Sequence, residues 1–430
     1  MPTDHRRPAA SGRRLLLLAV LATLVLLATT ARTPTQAAPA ASAAAVPSTQ
    51  PDQAAQPDRA AAIVAIMREV MATNHLRAAI VRVTIDGEEV VTAALGESIT
   101  GVPATTDMHF RNGSVAISYV ATLLLTLVDD GVVGLDDPLS LWLPELPESD
   151  HVTLRMLANM TAGYQDYVPD ESFQRQFYAD PFRQWTPEEL VALSLAQPRV
   201  FAPGTNWDYA HANYVILGLA LEKATGRSVA DLMQERVLGP LGLTNTVSSS
   251  TPAIPEPVLH AFSSERRAPL GIPPGTRFYE ESTYWNPSWS ITHGAVQTTN
   301  IYDMAASAVA IGEGTLLSPA SYQAMVAPTL LGFGSPLAGC RACHTLSTAY
   351  NYGLGVILRG NWLLQSPLFA AQSGVMAYLP TRKIAIALVV TYDEQSFDDE
   401  GNFRTATANQ QLFTAIGAYL APEDVPPSGI

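Results

Sequence analysis

Phe110-Arg111-Asn112-Gly113-Ser114-Val115-Ala116-Ile117-Ser118-Tyr119-Val120-Ala121-Thr122-Leu123-Leu124-Leu125 is the stretch on which the fold of this chain turns. A serine opens a segment that is apolar nearly all round, so the spacing predicts a helix buried on every side. Ser114 would sit at its first turn. A serine there is also an ordinary helix N-cap, which by itself explains the residue.

Outward from this helix the two ends of the chain mirror one another. Residues 59–73 carry helical apolar spacing at Ile63, Ile66, Met67 and Val70. Residues 78–85 and 89–95 read as strands joined by Asp86-Gly87, a hairpin turn. Near the other end, residues 375–379 and 384–391 flank Pro380-Thr381-Arg382-Lys383 as a second hairpin, and residues 409–420 read as a closing helix. The middle, from Ser114 to about Gln323, is mostly helical pattern broken by Pro and Gly. The reading is an α+β fold: an antiparallel sheet flanked by terminal helices, plus an all-helical lobe, with a cleft where the two meet.

Further short motifs follow Ser114 in order. They are Leu154-Arg155-Met156-Leu157-Ala158-Asn159-Met160-Thr161-Ala162-Gly163-Tyr164, then Phe201-Ala202-Pro203-Gly204-Thr205-Asn206-Trp207-Asp208-Tyr209-Ala210-His211-Ala212-Asn213-Tyr214, then Pro240-Leu241-Gly242-Leu243. The succession resembles the serine β-lactamase and D-Ala-D-Ala carboxypeptidase superfamily, on its class C and family VIII esterase side. The resemblance spans about Arg59 to Leu420. It implies a β-lactamase/transpeptidase-like fold and acyl transfer through a covalent serine ester, on β-lactams, peptidoglycan stem peptides or small esters.

Against that family the chain departs in all three catalytic motifs. Ser-x-x-Lys reads Ser114-Val115-Ala116-Ile117: the serine is kept and the base one turn later is an isoleucine. Tyr-x-Asn reads Tyr209-Ala210-His211. Lys/His-x-Gly falls on Gln365-Ser366-Pro367, so the cation is gone and a proline stands where a strand would offer an N–H. A serine hydroxyl needs a proton acceptor, and a phenol with a pKa near ~10 serves only if nearby cations lower it. The chain holds two lysines, Lys223 and Lys383, and neither is placed to substitute. The reading is therefore a pseudoenzyme, weak or inert, that acts as a binding module. The alternative is an active esterase or peptidase in which His211 replaces the base for Ser114, oriented by Tyr209 or Asp208, since imidazole is a competent base near neutrality. His211 could equally fill a polar slot bonded to backbone.

Two further segments bear on the site. Tyr284, Trp285 and Trp289 either line a pocket or cap the core. Cys340-Arg341-Ala342-Cys343-His344 matches a c-type haem attachment string, but a small disulfide loop is the default in an oxidising compartment. A zinc site would need four ligands, and too few partners lie nearby in sequence. Otherwise the sequence calls for no cofactor and no metal.

His5, Arg6, Arg7, Arg13 and Arg14 precede an uncharged run at residues 15–31, followed by small residues around Thr35-Gln36-Ala37. Residues 1–37 read as a secretory signal; a single-span membrane anchor is the alternative, because the run approaches the ~18 residues of a span. Residues 38–57 read as an Ala/Pro/Ser-rich linker, 58–422 as the working domain and 423–430 as a tail. The protein is then exported, secreted or held at the cell surface. A formal charge of -14 over 430 residues argues against nucleic acid as a partner. The expected partner is a peptide, an ester or a cell-wall-derived small molecule in the cleft.

Overall fold

The computed structural model describes residues 56–248 and 251–427, so the expected signal or anchor and nearly all of the expected linker lie outside the described residues. The first helix, α1, spans Gln56–Asn74 and leads into β1 (Leu76–Ile85), β2 (Glu88–Ile99) and the short β3 (Val102–Pro103). The sheet resumes late in the chain with β4 (Asn351–Tyr352), β5 (Ile357–Arg359), β6 (Trp362–Gln365), β7 (Leu368–Phe369), β8 (Gln372–Leu379) and β9 (Ile384–Tyr392). The strand order is β3-β2-β1-β9-β8-β6-β5-β4, with β7 paired to β8. Every pairing is antiparallel. The two ends of the chain therefore meet at the β1–β9 ladder, from Leu76↔Tyr392 to Ile85↔Ile384. The two hairpin tips meet as well: the Asp86 N–H donates to Lys383 O at 2.9 Å, and Lys383 Nζ to Asp86 Oδ1 at 2.7 Å.

β8 and β9 are buried along their whole length. That is why they read as continuous apolar runs rather than as alternation: both faces are covered. Trp362 and Leu363 are neighbours on β6, so their side chains leave opposite faces of the sheet. Trp362 packs edge-on to Phe413 at 5.1 Å, in the closing helix α5 (Ala408–Leu420). Leu363 pairs with Tyr378. The Tyr378 ring lies against Gly312 of α4 (Ile301–Glu313) so closely that a Cβ on Gly312 would stand 2.2 Å from it. α4 and α5 thus cover the two faces, and glycine at 312 is what lets α4 approach. Beyond α5 the chain stays packed: Trp362 Nε1 donates to Asp424 O at 2.7 Å.

The helical layer is built around α2 (Val115–Asp129), whose residues 115–127 are all buried, as the opening stretch predicted. α3 (His211–Thr225) packs beside it. Local punctuation sets the shorter helices between them. Asp170 caps Glu171–Ala179, and Thr186 with Glu189 forms a capping box at Pro187–Leu195. Among the described residues no helix is long and apolar enough to cross a membrane.

Candidate active-site cleft

The strand His109–Arg111 delivers the chain into the turn Asn112-Gly113 and then into α2. Gly113 has φ +47°, and a Cβ on it would stand 2.5 Å from the Pro367 Cβ. Only glycine accepts that conformation against that neighbour without strain. The contact also fixes the third motif: Gln365-Ser366-Pro367 runs immediately beside the residue preceding Ser114.

Ser114 occupies the N-cap position of α2 but does not act as a cap. Its backbone is helical, at φ -63° and ψ -8°, and its hydroxyl bonds none of the first-turn N–H groups. The hydroxyl instead interacts with the phenol of Tyr209, as the family resemblance requires. Burial pushes that phenol well above its ordinary pKa; hydrogen bonding to Ser114 offsets part of the rise, and the charge of Asp166 adds to it. Tyr209 is consequently a poor proton acceptor.

The two lost cation positions are filled tightly. Ile117, one turn after Ser114, is completely buried. Gln365 is completely buried too, and its Nε2 donates to Gly355 O at 2.8 Å. The same carbonyl accepts the Ser118 hydroxyl at 2.6 Å. The Gln365 carboxamide therefore ties β6 to the α2 side of the core, and neither residue titrates near neutrality.

His211 opens α3 and is held by Asp166. Its backbone N–H donates to Asp166 Oδ1 at 3.1 Å, and its Nδ1 lies 3.2 and 3.3 Å from the two carboxylate oxygens. Neither Tyr209 nor Asp208 orients it by a hydrogen bond among the described residues, which corrects that part of the sequence reading. Tyr209 only packs edge-on to its ring at 5.6 Å. No hydrogen bond joins Ser114 to His211 among the described residues. Sequence reasoning missed Asp166 because it stands in an irregular segment with no periodicity, 45 positions before its partner. The one signal was its place two residues after Tyr164 of the Thr-Ala-Gly-Tyr motif.

The aromatic loop divides between the two roles left open above. Trp285 is buried against Phe177 and Tyr178, as part of the core. Trp289 reaches the site: its ring stacks on Phe369 at 5.7 Å and lies 6.0 Å from His211. Tyr284 faces His260 instead.

An open cleft of about 890 Å³ runs along Asp166, Asp208 and Tyr209 to the loop carrying Cys340 and Arg341. Asp208 is only 6% exposed, and it lines this cleft. Burial raises its pKa to about 7; the Asp166 charge adds to the rise and His211 opposes it. Cys340 and Cys343 form a disulfide, so neither sulfur is available for a haem thioether. The haem reading falls on that ground.

The family model described as Beta-lactamase matches residues 63–410. Among curated relatives, the chain is 28% identical over 162 residues to "Penicillin-binding protein 4*" of Bacillus subtilis, covering 37% of this chain and 34% of that protein. It is 30% identical over 197 residues to "Esterase EstB" of Burkholderia gladioli, covering 43% and 50% respectively. The matches thus span between a third and a half of these relatives' length. Among solved structures, a D-stereospecific amidohydrolase from Streptomyces sp. superposes with a TM-score of 0.65 at 23% identity, over 86% of this chain and 99% of that one. The D-amino acid amidase of Ochrobactrum anthropi SV3 complexed with D-phenylalanine gives 0.67 at 21% identity, over 84% and 99%. At these identities the structural likeness is one of fold.

Proposed function

The chain belongs to the beta-lactamase family, and on that premise we propose that it is an exported binding module whose cleft holds a peptide, an ester or a cell-wall-derived small molecule and turns it over weakly or not at all. One observation carries this reading: among the described residues, neither of the two positions where the family keeps its cations, nor the phenol beside Ser114, can take the Ser114 proton near neutrality. Ile117 and Gln365 fill the two cation positions as buried, non-titrating side chains, and burial pushes the Tyr209 phenol up rather than down. Loss of a general base costs ~10²–10⁴ in rate, and loss of a cooperating unit ~10⁶. The cleft, at about 890 Å³, is within the size range of small-molecule sites; Tyr209 lines it, whereas Ser114 and His211 do not. Export is supported by the basic-then-apolar start of the sequence and by the disulfide.

Labelling tests this directly. Protein incubated with penicillin or a fluorophosphonate, then weighed intact, is expected to carry no stoichiometric adduct. Fast acylation of Ser114, lost in Ser114→Ala, would end the binding-module reading.

A second reading has an observation of its own. Asp166 fixes the Nδ1 side of His211, which leaves Nε2 as the ring's free proton acceptor. An acidic residue holding a histidine is the orienting half of a serine–histidine hydrolase site. If the protein hydrolyses an activated ester, His211→Asn is expected to cut the rate ~10²-fold or more, although asparagine is the family's residue there. Unchanged hydrolysis in His211→Asn would rule out the histidine as base.

A further inference from the structure

The loop Cys340-Arg341-Ala342-Cys343 forms one wall of the cleft, and nothing in acyl transfer uses it. Its two sulfurs are not equivalent. Cys340 is half-buried and lines the open cleft, whereas Cys343 is 7% exposed and lies behind it. The Cys343 N–H donates to Cys340 Sγ at 3.1 Å, and the exposed Arg341 lines the same wall. One carboxylate oxygen of Asp208 and the two sulfurs all lie within 4.8 Å of one another. Asp208 is 6% exposed and lines the same cleft as Cys340. The Asp208 carboxyl thus stands against the disulfide, and solvent reaches both Asp208 and Cys340 from the same cleft.

We propose that Cys340–Cys343 is a redox-active site that undergoes exchange with a small thiol or dithiol entering the cleft, with Asp208 as the acid that protonates the departing Cys343 sulfur. The incoming thiolate attacks Cys340 Sγ, the accessible sulfur. The Cys340–Cys343 bond breaks, its electron pair leaves on Cys343, and that thiolate takes the Asp208 proton. A second thiolate of the reductant then attacks the reductant-side sulfur of the mixed disulfide and expels Cys340 as a thiolate. The Cys343 N–H and the Arg341 charge stabilise the expelled thiolate. Two reductant thiols become one disulfide and the protein disulfide becomes two reduced sulfurs, so electrons balance; Asp208 recovers its proton from water. In the reverse direction Asp208 accepts the proton of Cys343, and a small-molecule disulfide is the oxidant. A sulfur that is stabilised as it departs leaves faster, and a proton from Asp208 stabilises the buried Cys343 sulfur on departure. Burial keeps the Asp208 pKa up at about 7, so it carries a proton to give across the neutral range.

Asp166 and His211 face Asp208 electrostatically, Tyr209 and Arg341 share its wall of the cleft, and His344 follows Cys343. The deciding comparison is therefore between variants of Asp208 itself. The full oxidised chain is treated with excess dithiothreitol under native conditions, and new thiols are counted by alkylation and intact mass. Both cysteines are expected to become alkylated together in the folded protein. The rate, normalised to reductant thiolate, should fall as pH rises through the Asp208 pKa of about 7. Asp208→Asn should slow reduction at pH ~6 roughly tenfold and flatten the profile, while Asp208→Glu, which retains an acid, keeps both rate and profile. A disulfide that resists reduction until the protein unfolds overturns the proposal. So does an Asp208→Asn variant that matches the wild type in rate and profile. If the asparagine variant does not fold, loss of the pH dependence in a folded Asp208→Glu has the same force.

Discussion

Ile117→Lys is expected to destabilise the protein by roughly 3–5 kcal/mol and to restore no ester hydrolysis, although it rebuilds the family's first motif letter for letter. Ile117 is completely buried in a helix whose residues 115–127 are all buried. Its backbone carbonyl lies against Gly355, whose own carbonyl already accepts from Ser118 at 2.6 Å and from Gln365 at 2.8 Å. A lysine there displaces an isoleucine, which costs packing, and brings a charge without the second cation motif that the family uses to organise its site. An uncompensated ammonium in such surroundings either costs several kcal/mol or loses its proton. Urea unfolding should show a lower midpoint, and an activated-ester assay should show rates indistinguishable from the parent. Hydrolysis rising a hundredfold or more at undiminished stability would show that the remaining site is intact and only the lysine was missing.

The parts of this molecule that a reader of the sequence could see are those set by local periodicity. The Asp86-Gly87 turn, the hairpin at residues 380–383 and the closing helix at Ala408–Leu420 all follow from strand alternation, turn residues and helical spacing. Their meeting in one sheet was legible for the same reason: two apolar hairpins at the two ends of a chain have no other partner for their edges. The buried helix after Ser114 announced itself by being apolar all round. What Ser114 does there was not legible, since cap and nucleophile require the same residue at the same position. A helical φ/ψ pair and an uncapped first turn separate the two.

The site's polar organisation was less visible because it depends on contacts between irregular segments. Asp166, the holder of His211, sits in a loop where no spacing predicts a partner. Trp285 and Trp289 lie four residues apart around a single short turn, Pro287–Trp289, so no periodicity could tell the core ring from the cleft ring. Asp208 was in view beside Tyr209, and so was the Cys340–Cys343 pair. Their proximity requires the chain to return across more than a hundred residues, a non-local pairing that composition cannot encode. Asp166, Asp208 and the disulfide all bear on the electrostatics of the cleft, the level at which this chain departs from the family's motifs.

The stability of the protein should fall as pH rises from about 4 to about 7, in large part because of Asp208, and Asp208→Asn should remove that part of the fall. Burial first, and the Asp166 charge second, push the Asp208 carboxyl up to about 7 in the folded protein from an ordinary 3.8. Between those values the folded state binds a proton that the unfolded state has released. Stability supported by the protonated carboxyl is therefore fully present below the unfolded pKa and is lost as pH rises through the folded one. At 1.36 kcal/mol per pKa unit the loss approaches ~4 kcal/mol. Burial also raises Glu265 and Glu280, which slope the same way. Asp129, Asp136 and Glu189 are lowered, so the stability they bring is already complete above the ordinary carboxylate range and stays flat in this window. Subtracting the variant from the wild type isolates the one group. Urea midpoints measured at pH values of about 5, 6, 7 and 8 on the oxidised proteins should converge at the acid end. They should separate progressively as pH rises to about 7 and run parallel above it, with the asparagine variant the more stable there. Asparagine keeps the shape and cannot ionise, so the variant gains where the wild type must hold a charge in largely desolvated surroundings. Parallel curves across the whole range would mean that a water or an unassigned group satisfies the carboxylate. Asp208 would then stand ionised at neutral pH, with no proton to give to the neighbouring disulfide.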